Sequence, residues 1–191
     1  MSQRCFGDGD ALYAAYHDDE WGAPVTDERG LYERISLEAF QSGLAWITIL
    51  RKRDGFRAAF ADFDPEAVAR FGKRDVNRLL NDTGIVRNRL KIEATIANAK
   101  ATVALRDGPR ALPELVWDHA PAGRRKAPRS WADVGAVTPE STALAKELKR
   151  SGFRFVGPTT VYAMMQACGL VNDHLVGCRV RADVERARKA V

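Results

Sequence analysis

Long apolar runs, cysteine and histidine are what this 191-residue sequence has least of. No window approaches the ~18 consecutive apolar residues of a membrane helix, so no span is expected. The start, Met1-Ser2-Gln3-Arg4-Cys5, has no apolar stretch behind its arginine, so no secretory signal is expected either. Three cysteines are an odd and sparse count for a disulfide scaffold, which points to a reducing, cytoplasmic compartment. Strand signals are scarce as well. Only Phe153-Arg154-Phe155-Val156 alternates, and it sits between two glycines. There is no internal repeat and no low-complexity tract. Lys and Arg outnumber Asp and Glu by 30 to 25, a net charge of +5 that mildly favours a polyanionic partner.

What is present is helix punctuation, and it predicts an all-α chain of roughly eight short helices in one domain. Asp27 opens a helix running through Leu31 and Ile35 toward Ser42, with a second apolar stretch from Leu44 to Leu50. Asp64-Pro65-Glu66 reads as an N-cap with proline in the first turn. Asp75 is expected to open a short helix that Gly84 ends in a left-handed cap. A longer helix is expected from about Asn88 to Arg106, another from Thr138 to Gly152, and a last clear one from Pro158 to about Cys168. Between Asp107 and Pro128, four prolines and Arg124-Arg125-Lys126 mark a long connection, with a short helix around Glu114 to Trp117.

Four of the six Cys and His residues fall in two tight groups at opposite ends: Cys5 with His17, and His174-x3-Cys178. Two thiolates and two imidazoles make a tetrahedral zinc set. With four protein ligands no position stays open for water, so one such ion would be structural and would clip the chain ends together. The alternative is that two pairs so far apart in sequence never meet. Cys168, after Met164 and Met165, reads as a core residue, and His119 in the proline-rich connection reads as solvated.

Glu38 lies close to Leu31 and Ile35 in helical projection, on the margin of an apolar stripe. A carboxylate there is costly to bury unless it has a task. The plain reading, favoured by pattern alone, is a helix-edge residue reaching solvent or pairing with Arg34. Aromatics gather around it in sequence, however: Tyr13, Tyr16, Trp21 and Trp46. Aromatic walls with one anionic acceptor suit a flat, electron-poor or cationic ring. Each aromatic alone is more simply read as core.

In the stretch from Gly152 to Thr160 one helix ends, a tight turn follows, and the next helix starts at Pro158. Free backbone N–H groups and the hydroxyls of Thr159 and Thr160 are well placed to hold a phosphate without reading sequence. A plain helix-turn-helix corner is the alternative.

Taken together, Tyr16-His-Asp-Asp-Glu-Trp-Gly22, Leu37-Glu-Ala-Phe-Gln-Ser-Gly-Leu-Ala-Trp46, Thr83 to Ile92, Gly152-Phe-Arg-Phe-Val-Gly157 and Met165 to Cys178 resemble the 3-methyladenine DNA glycosylase I family, a zinc-containing branch of the helix-hairpin-helix DNA glycosylases. The resemblance runs from Cys5 to about Cys178. It implies a hairpin-containing helical bundle with one zinc ion on Cys5, His17, His174 and Cys178. It also implies that Glu38 faces an extruded base, and that Tyr13, Tyr16, Trp21 and Trp46 wall the base pocket. The hairpin through Gly152, Phe153, Gly157, Thr159 and Thr160 would grip the DNA backbone. Phe6 stands where relatives can carry Trp, so it takes no assigned role. The basic tail from Arg179 lies outside the resemblance and is read as a solvated helix, with an extra phosphate contact as the alternative.

The activity so implied is hydrolysis of the N-glycosidic bond of 3-methyladenine in alkylated duplex DNA by a monomer, at the bacterial nucleoid. A zinc-stabilised DNA-binding module would not need Glu38 among aromatics. A bifunctional lyase needs a nucleophilic amine, and residues 152–169 contain no lysine. On the turn Gln41-Ser42-Gly43-Leu44, Leu44 is either a wedge that fills the gap left by a flipped base or a core residue.

Overall fold

The computed structural model describes residues 3–123 and 126–191. Arg124 and Arg125 of the proline-rich connection lie outside the described residues. The described chain is helical throughout, with α1 Ala11–Asp19, α2 Glu28–Gln41, α3 Trp46–Arg51, α4 Arg53–Ala59, α5 Pro65–Ala69, α6 Lys73–Leu80, α7 Arg89–Leu105, α8 Leu112–Trp117, α9 Pro139–Arg150, α10 Pro158–Ala167 and α11 Arg181–Arg188. Short 3-10 turns cover Ala61–Phe63 and Trp131–Asp133. Among the described residues no strand forms; a single parallel bridge joins Gln3 to Cys178, near the two chain ends. Among the same residues no helix is long and apolar enough to cross a membrane.

Side-chain caps set the helix starts. Asp27 accepts from the Gly30 amide at 2.7 Å, Asp64 from Glu66 at 2.9 Å, and Asn88 from Lys91 at 3.1 Å. Each supplies an acceptor to a first-turn N–H with no partner inside the helix. Thr138 and Ser141 cap reciprocally at the start of α9.

The structure differs from the sequence-based expectation at several points. Helix α6 starts at Lys73, not Asp75; Asp75 sits in its first turn and reaches back to the Gly72 amide at 2.9 Å. It ends at Leu80 on a right-handed Asn81, so Gly84 is no left-handed cap. His119 is not solvated: its ring bonds to the Leu115 carbonyl and lies 3.3 Å from Glu147. The C-terminal helix is docked rather than free. Val184 is buried, and Arg188 donates to the Gly169 and Leu170 carbonyls just past α10.

The core lies where α2 packs against α7, α10, α3 and α8. Beside it Phe40, Phe56, Phe60 and Phe63 stack on one another with ring centroids 4.6–6.4 Å apart, all fully buried. Phe60 touches three of these rings and Phe71. Phe60→Ala is therefore expected to lower stability by about 3–5 kcal/mol, read as a shifted denaturant midpoint at unchanged slope.

Lys91 resolves the end of α2. Its ammonium, almost fully buried, donates to the Phe40 carbonyl at 2.8 Å and the Ser42 carbonyl at 2.6 Å. A cation on the last carbonyls of a helix satisfies orphan acceptors and the negative dipole end together. It fixes the turn that carries Gln41 and Leu44.

Candidate active site and metal centre

Four segments converge on one cavity of about 290 Å³. The chain start and α1 bring Phe6, Tyr13 and Tyr16, with Trp21 just beyond; α2 and α3 bring Glu38, Gln41 and Trp46; Trp131, Ala163 and Gln166 complete the lining. Glu38 and the four base-pocket aromatics expected from the sequence, Tyr13, Tyr16, Trp21 and Trp46, all line it. Phe6 lines it as well, with its ring 4.9 Å from Tyr13 and 5.1 Å from Trp21.

Glu38 is not at a solvent-facing helix edge. It is 5% exposed, and Arg34 pairs instead with Glu20 at 3.0 Å. Among the described residues no donor is hydrogen-bonded to the Glu38 carboxyl. Burial pushes that carboxyl up to about 8, and the positive charge of Arg34 opposes the rise only in part. Neighbouring Tyr16 is raised too, first by burial and then by the charge of Glu38. Arg34 lies over the Tyr16 ring at 5.9 Å from its centroid, which ties the floor of the cavity to the Glu20–Arg53 ion pair. A lone carboxyl under aromatic walls is a site for a flat ring bearing hydrogen-bond donors or positive charge.

Sequence reasoning missed Gln41, Trp131 and Gln166. Trp131 follows the proline-rich connection in a stretch with no sequence signal of its own, and its indole N–H reaches the Cys5 carbonyl at 3.2 Å. Nothing local marks it as a pocket wall.

The metal-type residues lie against the same aromatics. Ligand atoms of Cys5, His17 and Cys178 all stand within 4.8 Å of one another. The His174 ring is 5.1 Å from that of His17, edge to face. Its Nδ1 is 3.0 Å from Asn172 Oδ1, while its Nε2 is buried and, among the described residues, bonded to nothing. His17 Nδ1 is 2.9 Å from Asp18 Oδ1. Each imidazole thus has its Nδ1 oriented by an oxygen acceptor; His174 Nε2 is unpartnered among the described residues, while His17 Nε2 accepts from the Cys5 amide at 3.2 Å and lies 3.5 Å from Cys178 Sγ, so both face the other donors as metal-ligating histidines do. Burial also holds both rings near a pKa of about 4, so they are neutral, as ligands must be. Gly22, at φ +88°, passes so close that a Cβ there would meet His174 Cε1 at 3.0 Å. This donor set fits a bound cation.

Away from the cavity, α9 and α10 pack as a hairpin. Gly152 turns the chain at φ +96°, a conformation open chiefly to glycine. Phe153 and Val156 are buried, while Thr159 is exposed in the first turn of α10. Asn98 of α7 clamps the turn from below, donating to the Arg154 carbonyl at 3.1 Å and accepting from its amide at 2.7 Å. Leu44 is 41% exposed, so it is no core residue.

A buried acid among aromatics, beside a clasped pair of chain ends and a helical hairpin, is the architecture of an enzyme that takes in a flat ring. The family profile for methyladenine glycosylase matches residues 6–182. The chain belongs to the methyladenine glycosylase family. It is 48% identical over 172 residues to the DNA-3-methyladenine glycosylase 1 of Escherichia coli (strain K12), covering 88% of this chain and 91% of that protein. It is 40% identical over 182 residues to the DNA-3-methyladenine glycosylase of Haemophilus influenzae (strain ATCC 51907 / DSM 11121 / KW20 / Rd), covering 93% and 97%. A solved structure of a 3-methyladenine DNA glycosylase I variant in complex with 3-methyladenine superposes with a TM-score of 0.88 at 34% identity, covering 95% of this chain and 98% of that one.

Proposed function

We propose that the protein is a DNA-repair glycosylase that hydrolyses the N-glycosidic bond of 3-methyladenine in alkylated duplex DNA and leaves an abasic site. The observation that carries this reading is Glu38, a buried carboxyl under Tyr16, Trp21 and Trp46 in a cavity sized for a small ring. To reach such a cavity the nucleotide must leave the base stack, at a cost of a few kcal/mol that is smallest for a damaged base. A 3-methyladenine in DNA is cationic, so its glycosidic bond is already weak. The cavity has to select and position the base more than force its departure.

Glu38 accepts hydrogen bonds from the base edge, and Tyr13, Tyr16, Trp21 and Trp46 enclose the ring. Leu44, exposed on a turn that Lys91 holds rigid, enters the stack where the base has left. Gly152, Phe153, Gly157, Thr159 and Thr160 form the hairpin that holds the phosphate backbone. The metal is zinc, held by Cys5, His17, His174 and Cys178, and with four protein ligands it is structural. Such an ion supplies a fixed cross-link between the chain ends. Among the described residues no lysine lines the cavity, which supports a monofunctional enzyme without lyase chemistry. The protein acts as a monomer on the DNA of the bacterial nucleoid.

Chromatography of bases freed from methylated duplex DNA by the purified protein tests this reading. Free 3-methyladenine with an intact abasic strand is expected. A folded, metal-loaded protein that frees no base would leave only a DNA-binding module.

The hairpin assignment has its own test. Asn98→Ala removes both bonds to the Arg154 backbone, which at about 1–3 kcal/mol for buried unsatisfied groups loosens the turn. Weaker binding to undamaged duplex is expected, with unchanged affinity for free 3-methyladenine by tryptophan fluorescence. Equal DNA affinity would move the backbone contact elsewhere.

A further inference from the structure

The second helix of the hairpin also forms part of the cavity wall. Ala163 and Gln166 line it, three residues apart on α10. Thr159 lies four residues before Ala163, so the start of the hairpin helix and the cavity wall share one helix face. The Gln166 side chain is anchored from behind. Its amide nitrogen donates to Asp173 Oδ2 at 3.0 Å, and the same oxygen accepts from the Tyr162 hydroxyl at 2.5 Å. Asp173 is 6% exposed and Tyr162 2%.

A carboxylate oxygen only accepts, whereas a glutamine side chain carries a donor end and an acceptor end. Asp173 therefore decides which way round the amide sits: nitrogen toward Asp173, carbonyl oxygen away from it. We propose that Gln166 is a base-reading residue that favours adenine over guanine, and that Asp173 is the positioning residue that keeps its carbonyl oxygen as the end offered to the cavity. This rests on the reading of the cavity as the base site. At ring position 6, adenine carries an amine that donates and guanine an oxygen that accepts. The Gln166 oxygen adds an acceptor on the α10 side of the cavity. A methylated adenine gives it a donor, while a methylated guanine sets lone pair against lone pair at that side chain. Sites that hydrogen-bond a substrate group reject analogues lacking it far better than apolar pockets reject an extra methyl.

The test is chromatography of 3-methyladenine and 3-methylguanine freed from the same methylated duplex by wild type, Gln166→Leu, Asp173→Asn and the double variant. Gln166 is half-exposed, so Gln166→Leu is expected to fold. Circular dichroism and metal content check Asp173→Asn, which neighbours His174. Gln166→Leu is expected to slow 3-methyladenine release about tenfold, the equivalent of one hydrogen bond, and to narrow the adenine-to-guanine ratio by a similar factor. Asp173→Asn frees the amide to turn over, so it is expected to narrow the same ratio. In the Gln166→Leu background it should change the ratio no further, because coupled residues are not additive. An unchanged ratio in Gln166→Leu beside an active wild type overturns this proposal alone. Full additivity of the two variants also overturns it, since Asp173 would then act by another route. A wild type that frees neither base overturns the glycosylase reading and this proposal with it.

Discussion

Glu38→Gln is expected to lower kcat/KM for release of 3-methyladenine by about 10- to 100-fold, while the Kd for undamaged duplex stays within about twofold. The substitution keeps the size and planarity of the side chain and removes only the charge and one acceptor. On the proposed reading, undamaged DNA is held by the hairpin, outside the cavity, so its binding is not expected to move. A cationic ring loses both the charge and a charge-assisted hydrogen bond, worth about 1.5–3 kcal/mol. Equal rates for the two proteins at saturating DNA would remove Glu38 from the reaction.

The same substitution is expected to stabilise the protein, and the effect should depend on pH. Burial raises the Glu38 carboxyl from 4.5 to about 8. Between those values the unfolded chain has released a proton that the folded protein still holds, so stability falls as pH rises. Below pH 4.5 the contribution of this group is flat. By pH 8 the accumulated loss is on the order of 4 kcal/mol. The amide that replaces the carboxyl in Glu38→Gln does not titrate. The Tm advantage of the variant should therefore grow by several degrees from about pH 5 to about pH 8, as read by differential scanning calorimetry in matched buffers. A constant gap across that range would mean that the carboxyl ionises normally. Affinity of the wild type for free 3-methyladenine should rise as pH climbs toward 8, because the ionised form is the better acceptor. A less stable folded state is thus accepted for a carboxyl ready to meet a donor.

The parts of this site legible in sequence are those whose chemistry is unusual for their place. Glu38 on an apolar stripe, four cysteine and histidine residues in two pairs, and a glycine-flanked turn followed by Pro158 each conflict with a bland helical pattern. That conflict is what marks them. Caps such as Asp64 and Thr138 are legible because they act on their own next turn. Gln166, Trp131 and Asn98 are not. Each is an ordinary residue in its local pattern, and its role comes from a partner far away: Asp173, the Cys5 carbonyl and the Arg154 backbone. The C-terminal helix escapes a sequence reading for the same reason. Its arginines read as solvated charges, yet Arg181 and Arg188 are bonded to carbonyls between Gly169 and His174 that no local rule ties to them.

Removing the metal is expected to disable the base pocket before it unfolds the protein. Cys5, His17, Cys178 and His174 lie outside the phenylalanine cluster and the α2–α7–α10 core, which bury their surface without help from an ion. Tyr16, Trp21 and Trp46 join that core, with Phe6 and Tyr13 packed against it, but several of these walls also touch the ligands. Phe6 follows Cys5 directly and Tyr16 precedes His17; Trp21 stands 4.5 Å from the His174 ring, and Trp131 hangs from the Cys5 carbonyl. Release of the ligands loosens the first turns of the chain and the 174–178 turn together, leaving backbone contacts such as the Gln3–Cys178 bridge and Val176 N–H to the Pro128 carbonyl, the Arg181 bond to the His174 carbonyl, and the Asp18 pairs with Arg4 and Arg179 to hold them. Ion pairs near the surface contribute little each, on the order of 1 kcal/mol. Chelation, or Cys178→Ser, should therefore abolish 3-methyladenine binding and lower Tm by several degrees, with most far-UV ellipticity retained. Metal analysis should find one zinc per chain in the wild type and none in Cys178→Ser. Loss of all helical signal on chelation would place the ion in the folding core. A metal-free protein that still binds the base would show that aromatic packing alone shapes the pocket.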